Sequence, residues 1–319
     1  MLSALFTDNG GIVFAKQAMP VCRPTQMLVQ VKATALNRAD LMQRQGKYPP
    51  SAGESAIPGL ELAGEVVDIG RQVSRFKKGD QVYALTGSGA YAEYCCVEEE
   101  LAAKIPAGWD FLAAAALPEA LTTANAVLFE LGQLRAGQTL LIHAAGSGIS
   151  SMAFQMAHLT QAKTISTASN SEKMAKALNM GVSSVINYKT DDFGAILSEN
   201  SIDLIVDFIG GDNFIKHLRL LKTKGHLVQI AAMQGRLVQC DLALIMRKRL
   251  QINGFVLRSQ SLTEKSLLWQ AAHQRWSVAL SNEQLKPVID SVFDFAQLQE
   301  AHQHMMDGKH FGKIVIKMP

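Results

Sequence analysis

Residues 139–155 read Thr-Leu-Leu-Ile-His-Ala-Ala-Gly-Ser-Gly-Ile-Ser-Ser-Met-Ala-Phe-Gln, and three kinds of local chemistry follow one another there. Leu140 to Ala144 is an apolar run long enough for one buried strand, Ala145 to Gly148 is a turn of very small residues, and an apolar helical pattern starts after it. A phosphodiester needs such a turn, because backbone N–H groups at a helix N-terminus reach it only where side chains let the backbone approach. Ala145, Gly146, Ser147, Gly148 and Ile149 make the candidate cradle. The strict fingerprint G-x-G-x-x-G is absent, since Ser150 stands where its last glycine would. Any tightly packed strand-to-helix unit also uses small residues, so the loop alone leaves both readings open.

A second stretch, 166–173 (Ser-Thr-Ala-Ser-Asn-Ser-Glu-Lys), bears on which phosphate is bound. A site for NAD places Asp or Glu at the end of the second strand, where it binds the ribose 2′-hydroxyl and repels a 2′-phosphate. Here the strand ends in Ala168-Ser169-Asn170 with no acid, and Lys173 follows on the next helix. Ser169 and Lys173 therefore favour NADPH over NADH. The plainer reading puts Lys173 on a solvated helix face with Glu172 offsetting its charge.

These residues must be positioned by a larger frame. At 319 residues the chain has room for two domains. Up to about residue 105 short alternating runs, 27–35, 62–69, 81–85 and 92–97, predict strands, and residues 111–131 are mostly helical around Pro118. From 139 to 257 strands (139–144, 163–168, 184–187, 202–207, 225–230, 251–257) alternate with helices such as 171–180 and 212–222, which predicts a doubly wound parallel sheet of the α/β class. A helix near 263–280 leads to strands near 287–293 and 313–316, so the C-terminus is expected to rejoin the first domain.

Composition removes other classes. Lys plus Arg is 31 and Asp plus Glu is 28, a net charge of +3, and the densest basic run, Arg247-Lys248-Arg249, is short enough to be a solvated helix end. No nucleic-acid surface is predicted. Cys22, Cys95, Cys96 and Cys240 show neither a C-x-x-C pair nor a paired framework, which fits a reducing compartment and no structural zinc. The N-terminus is not patterned as a secretory signal, and Pro118 and Glu119 break the most apolar region, so no membrane span is expected and the predicted location is cytoplasmic.

Several stretches together resemble the medium-chain dehydrogenase/reductase superfamily, specifically its zinc-independent quinone oxidoreductases and most nearly the stress-inducible NADPH quinone oxidoreductase subgroup. They are 36–50 (Leu-Asn-Arg-Ala-Asp-Leu-Met-Gln-Arg-Gln-Gly-Lys-Tyr-Pro-Pro), 58–64 (Pro-Gly-Leu-Glu-Leu-Ala-Gly), 115–120 (Ala-Ala-Leu-Pro-Glu-Ala), the loop at 143–150, 186–189, 257–259 and 312–315. The resemblance implies a GroES-like β-rich domain over 1–121, completed by 261–319, a Rossmann NADPH-binding domain over 122–260, and a cleft between them. It implies metal-free hydride transfer from NADPH to a quinone or related conjugated carbonyl. Zinc-using relatives place metal donors at positions occupied here by Asn37 and Leu60, and neither supplies one.

The same resemblance assigns candidate roles. Tyr48 donates a hydrogen bond to the acceptor oxygen as negative charge develops, Asn37 orients the nicotinamide or the substrate, and Thr123 holds the carboxamide. Tyr188 joins Lys173 beside the 2′-phosphate; Met233, Phe255 and Leu257 line the nicotinamide end; Arg258 and Lys313 lie near the cofactor. Tyr48 packed as a turn aromatic before Pro49-Pro50, and Arg258 and Lys313 as surface cations, are the bland readings. His143 reads as a satisfied core histidine, and His302 and His304, two apart, as a poor metal pair. Strand 251–257 as an apolar sheet edge predicts a homodimer. An NADPH-dependent enone or alkenal reductase and a non-catalytic NADPH-binding protein are the alternative readings.

Overall fold

The computed structural model describes residues 1–50 and 53–319. The chain divides into two compact units, Met1–Leu121 with Arg258–Pro319, and Thr122–Leu257. Arg258–Gln260 thus group with the first unit, three residues earlier than the sequence suggests.

The first unit begins with β1 (Leu2–Phe6), β2 (Ile12–Lys16) and β3 (Gln26–Ala35). Then come α1 (Arg38–Arg44), β4 (Glu61–Ile69), β5 (Gln81–Leu85), β6 (Tyr94–Glu98), β7 (Ala102–Lys104), α2 (Phe111–Ala115) and α3 (Pro118–Asn125), the last crossing into the second unit. The second unit carries β8 (Thr139–Ile142), α4 (Gly148–Leu159), β9 (Lys163–Ala168), α5 (Ser171–Asn179), β10 (Ser184–Asn187) and α6 (Phe193–Ile196). It continues with β11 (Ile202–Asp207), α7 (Asn213–Leu220), β12 (Leu221–Gln229), α8 (Leu242–Lys248) and β13 (Gln251–Gly254). The chain returns through α9 (Leu262–Ser281), β14 (Ile289–Asp294), α10 (Leu298–Met306) and β15 (Lys313–Lys317).

In the first unit β3 is the central strand. Met27, Val29, Val31 and Ala33 alternate inward along it, the period-2 pattern of a half-buried strand, and Met27, Val29 and Val31 join Leu62, Val66, Val82 and Ile316 in one core. It pairs antiparallel with β4, β6 and β15. A Cβ on Gly64 would sit 2.1 Å from the Gln30 carbonyl oxygen, so the closest approach of β3 and β4 requires glycine. β15 enters this sheet beside β3, and so the C-terminus does rejoin the first unit.

In the second unit six parallel strands run in the order β10-β9-β8-β11-β12-β13. Numbered within the unit this is 3-2-1-4-5-6, the doubly wound order whose chain reversal next to the first strand opens a crevice at the C-terminal strand ends. Leu140, Leu141 and Ile142 on β8 and Leu204, Ile205 and Val206 on β11 are buried on both faces, as a sheet covered by helices on each side demands. No described helix is long and apolar enough to cross a membrane.

The cysteine reading is overturned: Cys22 and Cys96 form a disulfide. A sequence separation of 74 hid the pair. Antiparallel pairing of β3 and β6 sets Leu28 opposite Cys96, which returns Cys96 to the segment entering β3 where Cys22 lies. Cys95 is buried and Cys240 exposed, both as free thiols.

Candidate functional site

The strand-turn-helix at 139–155 forms as its sequence indicates. Ala144 turns the chain out of β8 in the left-handed region (φ 56°), and α4 begins at Gly148 with Ser147 as its N-cap. The Ser147 hydroxyl oxygen accepts the Ser150 N–H at 3.0 Å, and the Ser150 hydroxyl donates to the His143 carbonyl at 2.9 Å. Ser150 is fully buried, so in place of a closing glycine the chain uses a hydroxyl that ties the start of α4 back to β8. The Ala145 N–H is consumed by the Thr167 carbonyl and the Ser147 N–H by that of Ala144. Among the described residues the N–H groups of Gly146, Gly148 and Ile149 have no protein acceptor. Three free N–H groups at the positive end of a 12-residue helix make an anion cradle.

Beside it, β9 ends at Ala168 with no acid following, and Asn170 caps α5 by accepting the Lys173 N–H at 2.9 Å. Lys173 is only 8% exposed, which removes the solvated-face reading, and Glu172 pairs with Lys176 at 2.8 Å. Tyr188, 47% exposed, follows β10 with its N–H on the Ala168 carbonyl, which brings it to the end of β9. At the far side of the sheet Met233 is half exposed, while Phe255 and Leu257 are buried just beyond β13. All these positions lie at the C-terminal ends of parallel strands, where such sheets bind ligands. Thr123, nearly buried on α3, belongs to this unit too.

The first unit gathers a different set. Glu61 opens β4 fully buried, and its Oε1 accepts from Lys313 Nζ at 2.6 Å and from Asn37 Nδ2 at 2.7 Å. Lys313 Nζ also donates to Asn37 Oδ1 (2.8 Å) and to the Leu36 carbonyl (2.9 Å). Both ends of the Asn37 amide and the whole Lys313 ammonium are therefore engaged inside this unit, and Lys313 is no surface cation. Asp40, buried in α1, accepts the Asn37 N–H, and burial raises its carboxyl to about 6.

Tyr48 lies half-buried under the Arg258 guanidinium, 5.2 Å from its ring centroid. Arg258 is 6% exposed and donates to Gln43 Oε1 (2.8 Å) and the Tyr48 carbonyl (3.3 Å), so it too is a buried brace and no surface cation. Burial pushes the Tyr48 phenol well up, followed by the nearby Glu119 charge, so Tyr48 stays a neutral hydrogen-bond donor. With Asn37 braced and Leu60 a buried hydrocarbon, the donor set at the family's metal positions fits no zinc ion.

A second polar group sits under the cradle. His143 Nε2 lies 2.8 Å from His217 Nε2, His143 Nδ1 lies 3.0 Å from Thr167 Oγ1, and Asp207 Oδ2 lies 3.5 Å from His217 Nδ1. Ligand atoms of His143, Asp207 and His217 fall within 4.8 Å of one another, but they face opposite sides of the His217 ring. Tetrahedral coordination needs donors that converge. Thr167, His143 and His217 form a buried hydrogen-bond chain with the Asp207 carboxylate 3.5 Å beyond it, and burial holds both imidazoles down at about 3. His143 is the satisfied core histidine its strand position suggests. In the first unit His302 faces Tyr91 and His304 pairs with Asp290, so those two make no metal pair.

Residues 180–316 match the family described as zinc-binding dehydrogenase, and residues 23–107 match the alcohol dehydrogenase GroES-like domain. Over 315 residues the chain is 31% identical to the synaptic vesicle membrane protein VAT-1 homolog of Rattus norvegicus, covering 93% of this chain and 78% of that one. The chain belongs to the medium-chain dehydrogenase/reductase superfamily. It is also 30% identical over 305 residues to the quinone oxidoreductase of Lama guanicoe, covering 94% and 91% of the two chains. The solved quinone oxidoreductase of Coxiella burnetii superposes with a TM-score of 0.82 at 26% identity, over 100% and 98% of the chains. As a medium-chain dehydrogenase/reductase, the protein thus has a GroES-like unit and a Rossmann unit, with quinone oxidoreductases among its relatives.

Sequence reasoning passed over Glu61, Glu119 and His217 as individual residues. Glu61 left a signal, an acid directly before the small apolar run Leu62-Ala63-Gly64, and Glu119 another, an acid inside the most apolar stretch of the chain. His217 left none, because its partners lie 74 residues before it and on the preceding strand.

Proposed function

We propose that this protein is an NADPH-dependent quinone oxidoreductase that transfers hydride without a metal from the nicotinamide to a quinone. The observation that carries the proposal is the cradle of the Gly146, Gly148 and Ile149 N–H groups beside a β9 end that has a buried lysine and no acid. A pyrophosphate suits the cradle, and a 2′-phosphate suits Ser169, Lys173 and Tyr188. Thr123, Met233, Phe255 and Leu257 are the proposed neighbours of the nicotinamide. Tyr48 is the proposed donor to the acceptor oxygen, with Asn37, Lys313 and Arg258 fixing the surface around it. Quinone oxidoreductases among the relatives support the acceptor class.

Calorimetry with NADPH and NADH, then turnover of 9,10-phenanthrenequinone and an enone panel, tests the reading. Binding of NADPH in preference to NADH with quinone turnover is expected. No binding of NADPH overturns it, and turnover of enones alone moves the assignment to a double-bond reductase.

We also propose a homodimer paired along β13, which among the described residues has a strand neighbour on one side only. Leu242, Met246 and Ile252 are 67%, 74% and 40% exposed around that edge, and apolar side chains at an open edge favour a second copy. Light scattering is expected to give a dimer that Ile252→Lys splits; a wild-type monomer refutes it.

A further inference from the structure

β11 ends in Asp207, which is fully buried, and its carboxylate turns back on the chain that follows. Oδ1 accepts the Ile209 N–H at 2.6 Å and Oδ2 the Gly210 N–H at 3.0 Å, while the Asp207 carbonyl accepts the Ile230 N–H just after β12. The turn so fixed passes through Gly210 and Gly211, both left-handed (φ 67° and 58°), and a Cβ on Gly210 would lie 2.5 Å from the Gly235 carbonyl oxygen. Three backbone bonds join this turn to the loop that carries Met233. The Phe208 carbonyl accepts the Met233 N–H (3.2 Å), the Ile209 carbonyl accepts the Gln234 N–H (2.8 Å), and the Gly211 N–H donates to the Gly235 carbonyl (2.9 Å). From the other side His217 Nδ1 faces Asp207 Oδ2 at 3.5 Å, its ring stacked on Phe193 and bonded to His143. One buried carboxylate thus stands behind the loop at the C-terminal ends of β11 and β12.

We propose that Asp207 is a positioning residue of the cofactor site: through the 208–211 turn it places the 233–235 loop against the nicotinamide half of NADPH. This rests on the oxidoreductase reading above. The task needs a carboxylate, because two N–H groups of one turn each take an acceptor oxygen, whereas asparagine offers one acceptor and sets an amide N–H against the second. A carboxylate only accepts, so the His217 nitrogen that faces it carries the proton. His217 Nε2 then accepts from His143 Nε2, and His143 Nδ1 accepts from the Thr167 hydroxyl, so every donor in the row points toward Asp207. The adenine end is held by other bonds, that of Asn170 to the Lys173 N–H and that of the Tyr188 N–H to the Ala168 carbonyl, in which Asp207 has no part. With its side chain sealed from solvent, Asp207 acts through the turn, and a small displacement of the reacting ring costs rate steeply.

The test uses the full chain and compares NADPH with its adenine half, adenosine 2′,5′-bisphosphate. Asp207→Asn is expected to weaken NADPH binding about tenfold in calorimetry, the worth of one buried hydrogen bond, and to lower kcat with 9,10-phenanthrenequinone about tenfold to hundredfold. Adenosine 2′,5′-bisphosphate is expected to bind that variant within about twofold of its wild-type affinity. His217→Phe keeps the carboxylate and the stacking on Phe193 but removes the facing nitrogen, and is expected to show the same split at about threefold in NADPH. The emission of bound NADPH, which reports the surroundings of the reduced ring, is expected to move toward that of free NADPH in both variants. NADPH affinity, kcat and emission unchanged in Asp207→Asn, or in His217→Phe where Asp207→Asn does not fold, overturn the assignment. Equal losses of NADPH and adenosine 2′,5′-bisphosphate also overturn it, because a general loosening of the second unit would weaken both. A wild type that binds no NADPH overturns the underlying reading instead.

Discussion

Replacing Lys313 with methionine removes one member of the buried Glu61 pair while keeping most of the side chain's hydrocarbon. The Lys313 side chain is 5% exposed and Glu61 0%, and the ammonium is shared by Glu61, Asn37 and the Leu36 carbonyl. Without it Glu61 remains buried with two donors, Asn37 Nδ2 and the Glu119 N–H. Breaking a buried pair from one side costs about 3–5 kcal/mol, because the surviving charge is left uncompensated. The two remaining donors place the expected loss near the lower end, about 3 kcal/mol. Trp109, Trp269 and Trp276 all belong to the first unit, so tryptophan fluorescence in guanidinium reads that unit selectively. At a slope of about 3 kcal/mol per molar denaturant, the midpoint is expected to fall by about 1 M. Lys313→Met with Glu61→Gln removes both charges, and the double variant is expected to lose less than the sum of the single losses by about 2 kcal/mol. A Lys313→Met midpoint within about 0.3 M of wild type, or strict additivity in the double variant, would refute the reasoning.

Three other outcomes are expected. Lys173→Ala is expected to raise the KM for NADPH roughly tenfold to hundredfold, the worth of one charge-assisted hydrogen bond, and to leave that for NADH unchanged; an unaltered ratio removes Lys173 from the phosphate site. Cys22→Ser opens a cross-link spanning 74 residues and is expected to cost the first unit about 2–4 kcal/mol in the same fluorescence assay, while thiol titration of unfolded, unreduced wild type finds two thiols, Cys95 and Cys240. His143 and His217 are held down at about 3, so between their ordinary value of 6.5 and about 3 the unfolded chain binds protons that the folded chain does not. Stability of the second unit is therefore full above pH 6.5 and falls as pH drops below it. His217→Gln is expected to flatten that fall by up to about 1.4 kcal/mol per pH unit in urea unfolding followed by circular dichroism, and an unchanged slope between pH 7 and 4.5 counts against it.

The amino-acid sequence by itself determined the pieces whose causes are local. The strands at 163–168, 184–187 and 202–207 fall where their periodicity places them, and the cradle at 145–149 lies where small residues separate an apolar run from a helix. Its consumed and free N–H groups, however, depend on Thr167 across the sheet, and the task of Ser150 depends on a carbonyl seven residues back. Strands 1–2 of the chain escaped notice because a two-stranded ribbon with exposed Val13 and Phe14 lacks a clean inward alternation. Only tertiary structure decided the partners of Asn37, Arg258 and Lys313, which join residues 276, 215 and 252 positions apart, and the bond between Cys22 and Cys96. The reason is one of range: propensity and periodicity act over a few residues, whereas a buried charge or thiol takes its meaning from whichever distant group the sheet order sets beside it.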